Sequence, residues 1–139
     1  MQGRAYLDLA RELMAGASPV HWRGAIGRAY YALVLEGREA LSRWGLPLPP
    51  RENVHTWVRF RFTFPADAGL QSIGRALDRW CRMRNKADYD MSDLPAFASP
   101  TLAQQAIQQV TVALALLDAI DGDPARRSAA QAAIRAAFP

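Results

Sequence analysis

One stretch limits what this chain can fold into. Between Leu70 and Asp88 the apolar residues Leu70, Ile73, Leu77, Trp80 and Cys81 recur three and four apart. That is the period of one face of an α-helix. Arg84 and Asp88 continue the same face, while Arg75, Arg79, Arg82 and Lys86 form a second stripe roughly opposite. Four cations therefore go to solvent and Arg84 goes with the core. A buried charge is costly unless it is paired or used. Two readings of Arg84 stand side by side. It is a structural partner of a carboxylate, Asp88 at i,i+4 being the nearest, or it is held in a cleft to meet an anionic ligand such as a phosphate.

The rest of the chain reads as further helices separated by turn signals. Gly3 to Ala15 places Tyr6, Leu9, Ala10 and Leu13 on one face. Ser18-Pro19 is a helix start, with serine as cap and proline in the first turn. The helix that follows runs to about Trp44 and stops at Gly45. Ile26, Tyr30, Leu33, Val34, Gly37, Leu41 and Trp44 form its main stripe, with Ala32 and Leu35 on the other side, so it should be covered on two sides. Leu46-Pro47-Leu48-Pro49-Pro50 cannot continue a helix.

Asn53 to Phe62 is ambiguous, because Trp57-Val58-Arg59-Phe60-Arg61-Phe62 alternates as a strand would. A short helix is expected, since no partner strand is visible elsewhere. Asp67 then caps the helix over Ala68–Tyr89. Met91 to Ala98, with Pro95, reads as a loop. Ser99-Pro100 repeats the Ser-Pro start, for a helix to about Ile120 that buries Ala103, Ala106, Ile107, Val110, Ala113, Leu114, Leu117 and Ile120. Asp123-Pro124 opens a last helix, Ala125 to Ala137. The expectation is one domain over residues 1–139, an all-α, up-and-down bundle of five to six helices with mostly antiparallel neighbours.

Several chemistries lack their residues. Cys81 is the only cysteine, so neither an internal disulfide nor a cysteine-based metal site can form. Only His21 and His55 are present, without His-Glu-x-x-His or a glycine-rich phosphate loop, so no metal or cofactor is expected. Gly24, Gly27 and Gly37 read as close-packing positions in a helix. No run reaches about 18 uninterrupted apolar residues, and no apolar run of signal-peptide kind is read after Met1-Gln2-Gly3-Arg4. No membrane partner is expected, and a cytoplasmic location is. The net charge of +4 permits contact with nucleic acid. Arg59 and Arg61, interleaved with aromatics, either stack on unpaired bases or cover apolar surface with their stems. His55 is either a packed histidine or a general base directed towards Arg84.

Three segments taken together resemble HEPN-domain proteins. Gly27-Arg28-Ala29-Tyr30-Tyr31-Ala32 is similar to a Ser-Arg-Ala-Tyr-Tyr-Ala signature. Arg84-Asn85-Lys86-Ala87-Asp88-Tyr89 is similar to an Arg-x-x-Ala-Asp-Tyr ending. Asn53-Val54-His55-Thr56 falls where one branch carries a lysine, a residue and a histidine. The resemblance covers roughly residues 5–90, with the helices over 100–121 and 124–137 completing the bundle. It implies a homodimeric helical bundle associated with RNA, in a toxin–antitoxin pair or a phage-defence system. A minimal nucleotidyltransferase antitoxin is the implied partner.

The resemblance also implies a metal-independent endoribonuclease built on Arg, four to six residues, then His. The arginine carries over to Arg84 and the polar residue after it to Asn85. The histidine does not carry over, because Tyr89, Asp90 and Met91 occupy its place. Asp88, Tyr89 or His55 would have to move the protons, with Arg28, Arg59 and Arg61 as further RNA contacts. The alternative is a non-catalytic module that binds RNA, a nucleotide or a partner protein.

Overall fold

The computed structural model describes residues 2–139. Its helices are α1 Arg4–Leu13, α2 Pro19–Arg43, α3 Val54–Thr63, α4 Ala68–Tyr89, α5 Thr101–Gly122 and α6 Pro124–Ala137, with one 3-10 turn at Pro95–Phe97. The described residues contain no strand, so the alternating Trp57–Phe62 run is helical, as expected. Trp57, Val58 and Phe62 are its buried side chains.

The helix ends follow local chemistry. Asn53 Oδ1 accepts the Thr56 N–H at 3.1 Å, Asp67 Oδ1 accepts that of Leu70 at 2.9 Å, and Asp123 Oδ1 accepts that of Ala125 at 3.0 Å. Each side chain satisfies a donor that the first helical turn leaves free. α2 ends in a Schellman motif: Gly45 has φ +81°, its N–H donates to Ser42, and the Leu46 N–H donates back to Leu41 at 2.8 Å. The two Ser-Pro starts differ from expectation. Ser18 turns its hydroxyl to His21 Nδ1, 2.6 Å away, and makes no cap bond. α5 begins at Thr101, with Pro100 as its cap residue.

α2 is the central element and packs against α1, α3, α4 and α5. One side buries Ile26, Tyr30, Leu33, Gly37 and Leu41; Ala25, Ala29, Ala32 and Ala40 fill in around them. Gly37 admits α3, since a Cβ there would sit 3.2 Å from Val58 Cγ1. Gly74 of α4 lies even closer to α3, where a Cβ would stand 2.9 Å from the Thr63 N and Cα. α1 turns inward the face its sequence suggested, except that Leu7 takes the place of Leu9. Leu7 and Ala10 are buried, Leu9 is 37% exposed, and Tyr6 and Leu13 are half-buried. Gly3 lets the start of α1 come close to α2, its backbone abutting Leu35 and Glu36.

Strict up-and-down order holds for α1–α2, α3–α4 and α4–α5 but breaks between α2 and α3. Tyr30 meets His55 while Gly37 meets Val58 and Phe62, so these two helices run in the same sense. The chain must return from Arg43 to the level of Tyr30, roughly 20 Å at 1.5 Å per residue. The proline-containing segment 44–53 makes that return. It includes a turn closed by the Glu52 N–H on Pro49 O at 3.3 Å, with Arg51 at φ +70°.

α6 closes the end of the bundle where α2 finishes and α4 begins. Arg126 makes a two-pronged pair with Asp67, at 2.7 and 2.8 Å, and Gln131 donates to Trp44 O at 3.0 Å. At the other end, Arg23 of α2 donates to Ala87 O at 3.1 Å, to Asp90 O, and to Ser92 O at 2.8 Å. Its guanidinium lies 4.4 Å from the ring centre of Phe97, which is buried within the 91–98 segment. Of the carbonyls in the last turn of α4, that of Ala87 is thus satisfied by a side chain from α2, which also ties down the segment that follows.

Candidate functional site

The two signature helices meet at Gly27. A Cβ there would lie 3.6 Å from both Arg84 Cγ and Asp88 Oδ1, an ordinary contact, so α4 runs directly over this point of α2. One helical turn along α2, Tyr31 receives a hydrogen bond from Arg84 Nη2. The Arg84 guanidinium carbon also lies 5.0 Å from the Tyr31 ring centre and 5.8 Å from that of Tyr89. Nη1 donates to Asn85 Oδ1 at 3.2 Å. Nε stands 3.0 Å from Asp88 Oδ2, yet its N–H is not aligned on any acceptor. That contact is a Coulombic pair rather than a directed hydrogen bond.

Arg84 is therefore oriented from several sides, with its side chain only 13% exposed against 37% for Asp88. The i,i+4 pair expected from the sequence is present, and the four-cation stripe Arg75, Arg79, Arg82 and Lys86 is on the exposed face. A guanidinium has five N–H donors. Tyr31 and Asn85 take one from each terminal nitrogen, leaving one N–H on each without a protein partner among the described residues.

His55 joins this cluster from α3. Its Nδ1 and the Tyr30 hydroxyl are hydrogen-bonded at 2.7 Å, and the two rings stack with centres 5.6 Å apart. The Tyr31 ring meets His55 edge-on at 6.0 Å and Tyr6 of α1 at 5.9 Å. Burial pushes the His55 pKa below its ordinary value, and the positive charges of Arg84 and Arg59 push it further the same way. The imidazole is neutral at neutral pH. Burial, and after it the neighbouring Cys81 thiol, raises the Tyr30 phenol far above its ordinary value, so it stays protonated.

Asn85, Asp88 and Tyr89 surround Arg84 at the exposed end of α4, and Tyr89 is 73% exposed. Of the proposed RNA-contacting arginines, Arg59 lies near enough to act on His55 electrostatically, and it also faces Asp78 at 3.8 Å. Arg28 is exposed on α2, next to Gly27. Arg61 points elsewhere, between the rings of Trp57 at 4.5 Å and Phe138 at 4.1 Å, so its flat faces are occupied within the chain. In that run Phe62 and Trp57 are buried and Phe60 is half-buried, which fits the surface-covering reading of the aromatic and basic segment.

Two contributors were not singled out from sequence. Tyr31 is the residue that fixes Arg84. Its signal was the Tyr30-Tyr31 doublet, which places one ring on the buried stripe and the next about 100° round it. Arg23, which holds the C-terminal end of α4, left no local signal, because its partners are backbone carbonyls more than sixty positions away. No group of three or more metal-ligating side chains occurs among the described residues. No described helix is long and apolar enough to cross a membrane. Comparison with protein-family models, with curated proteins and with solved structures returns no match.

Proposed function

We propose that this chain is a HEPN-like, RNA-associated protein of a toxin–antitoxin or phage-defence system, acting in the cytoplasm as a homodimer by binding rather than cutting. The observation that carries the reading is Arg84. It is pinned by Tyr31, Asn85 and Asp88 and keeps two terminal N–H groups without a protein partner. A guanidinium so oriented has little entropy left to lose when it meets a phosphate oxygen. The absence of the motif histidine and the paired state of Asp88 argue against proton transfer. Val20 and Met91, 72% and 87% exposed near the junction of α2 and α4, supply apolar surface suited to a second copy. A minimal nucleotidyltransferase is the partner that the resemblance implies.

Incubation of a mixed RNA pool with the purified protein, chelator present, tests this beside Arg84→Ala and Arg84→Lys. The wild type retains RNA without cutting it. The folded Arg84→Ala protein loses about 10-fold or more, the scale of one hydrogen bond to a charged group. Arg84→Lys restores only part, since it keeps the charge but not the fork. Unchanged retention by a folded Arg84→Ala protein overturns the reading.

A metal-independent ribonuclease is the second reading, and the neutral His55 favours it. In the tautomer whose Nδ1–H donates to the Tyr30 oxygen, Nε2 is the nitrogen that would accept a proton. Chelator-resistant cleavage that His55→Asn abolishes would establish it.

A further inference from the structure

We propose that the outer face of α4, together with the groove it forms with α5, is a track for the phosphate backbone of single-stranded RNA. The ligand class rests on the RNA-associated reading above. The surface is a different one, on the side of α4 away from Arg84.

Arg75, Arg79, Arg82 and Lys86 are all exposed and stand in line on this face. From first to last they span about 16 Å of helix axis, room for four or five phosphates at about 3.4 Å per stacked nucleotide. Carboxylates do not neutralise the line evenly. Asp78 is the one acidic residue within it, and it is held by Arg82 at 2.9 Å and Arg59 at 3.8 Å. Arg75 and Lys86 have no ion-pair partner among the described residues, and Arg79 reaches only the amide oxygens of Gln109 and Gln105, at 3.3 and 3.4 Å.

Beside Arg75 and Arg79 runs a groove of about 450 Å³, whose far wall includes Gln108, Gln109 and the 64%-exposed Val112. No carboxylate lines it. Amides donate and accept, so they suit base edges, while the cations suit the backbone. Arg82 and Lys86 continue the line beyond the groove, and the amides set beside the cations, with their match to base edges, favour a strand over an acidic helix.

The test is anisotropy of a labelled oligouridylate across a salt series, with wild type, the triple variant Arg75→Gln/Arg79→Gln/Lys86→Gln, and Arg135→Gln as a control at an exposed arginine of α6. Each phosphate contact removed lowers the log–log salt slope by about 0.7, so the triple variant should lose about 2. Arg79 packs at 4.7 Å on the Trp80 ring. If its loss disturbs folding, Arg75→Gln/Lys86→Gln keeps the test open, with an expected loss of about 1.4. A slope unchanged in the variants while wild type binds overturns the track and leaves the RNA reading intact. A slope reduced in the variants while Arg84→Ala binds normally supports the track and removes Arg84 from that reading. Competition by polyglutamate as effective as that by RNA, charge for charge, overturns the track in favour of an acidic protein. No binding by wild type overturns both.

Discussion

Replacing glycine by alanine at two buried positions of the bundle should change stability in opposite directions. Gly27 and Gly74 both lie inside long helices, α2 and α4, and both are buried. Helix propensity alone favours alanine at each by about 0.8–1 kcal/mol. At Gly27 the added methyl meets Arg84 Cγ and Asp88 Oδ1 at 3.6 Å, so nothing has to move. Gly27→Ala should therefore be more stable by most of that amount. At Gly74 the methyl would stand 2.8 Å from Thr63 Oγ1 and 2.9 Å from the Thr63 N and Cα. Backbone cannot rotate away as a side-chain tip can, so α3 and α4 must separate. Overpacking of this kind costs about 1–3 kcal/mol. Offset by propensity, the net loss is up to about 2 kcal/mol. Urea unfolding followed by circular dichroism reads both. In thermal melts a difference of 1 kcal/mol appears as about 4 °C in a domain of this size. A Gly27→Ala protein that is less stable than wild type would mean that α2 and α4 approach more closely than the structure gives, and the geometry around Arg84 would fall with it.

Three further outcomes follow from individual contacts. The depressed pKa of His55 means that the folded state binds less proton than the unfolded chain; its contribution is complete above the unfolded value of about 6.5 and is lost as pH falls through it towards the folded value, so melts between pH 8 and 5 should show a slope that His55→Asn flattens. Arg126→Ala removes both bonds to Asp67, whose carboxyl is held low chiefly by that guanidinium; with the Arg126 side chain 33% exposed, a loss of about 1–2 kcal/mol in urea unfolding is expected, and no loss would show the pair to be energetically idle. Arg23→Ala should leave α4 intact but release the segment after it, read as faster amide exchange over 90–94 with little change at 70–80.

The long helices were legible because burial on one side writes a period into the sequence. The stripes of α2, α4 and α5 all face the core, and Ile107 alone of the eight residues expected inside α5 is half-buried. Asp67 and Asp123 were legible as helix starts for an equally local reason. α1 was legible except at one position, since Leu7 and Leu9 are equally apolar and packing against α2 decides between them. In the cluster, the Arg84–Asp88 pair sits at helix spacing and could be read directly. Tyr31, His55 and Arg23 reach their partners across 25 to 69 positions. No pattern along one helix reports such meetings. The same-sense run of α2 and α3 was hidden too, since a break in periodicity marks a loop but not its direction.

That return segment makes the chain unequally tolerant of changes in length. Ten residues lie between α2 and α3. Fully extended they reach about 35 Å, against a distance of roughly 20 Å, and a turn takes up part of the difference. Insertions there lengthen a closed loop, and even a doubling costs only about 0.6 kcal/mol. Deletions consume slack at up to about 3.5 Å per residue, and after a few the linker can no longer bring His55 beside Tyr30. Length variants of this one segment can therefore detach α3 from the cluster without altering any residue that touches it.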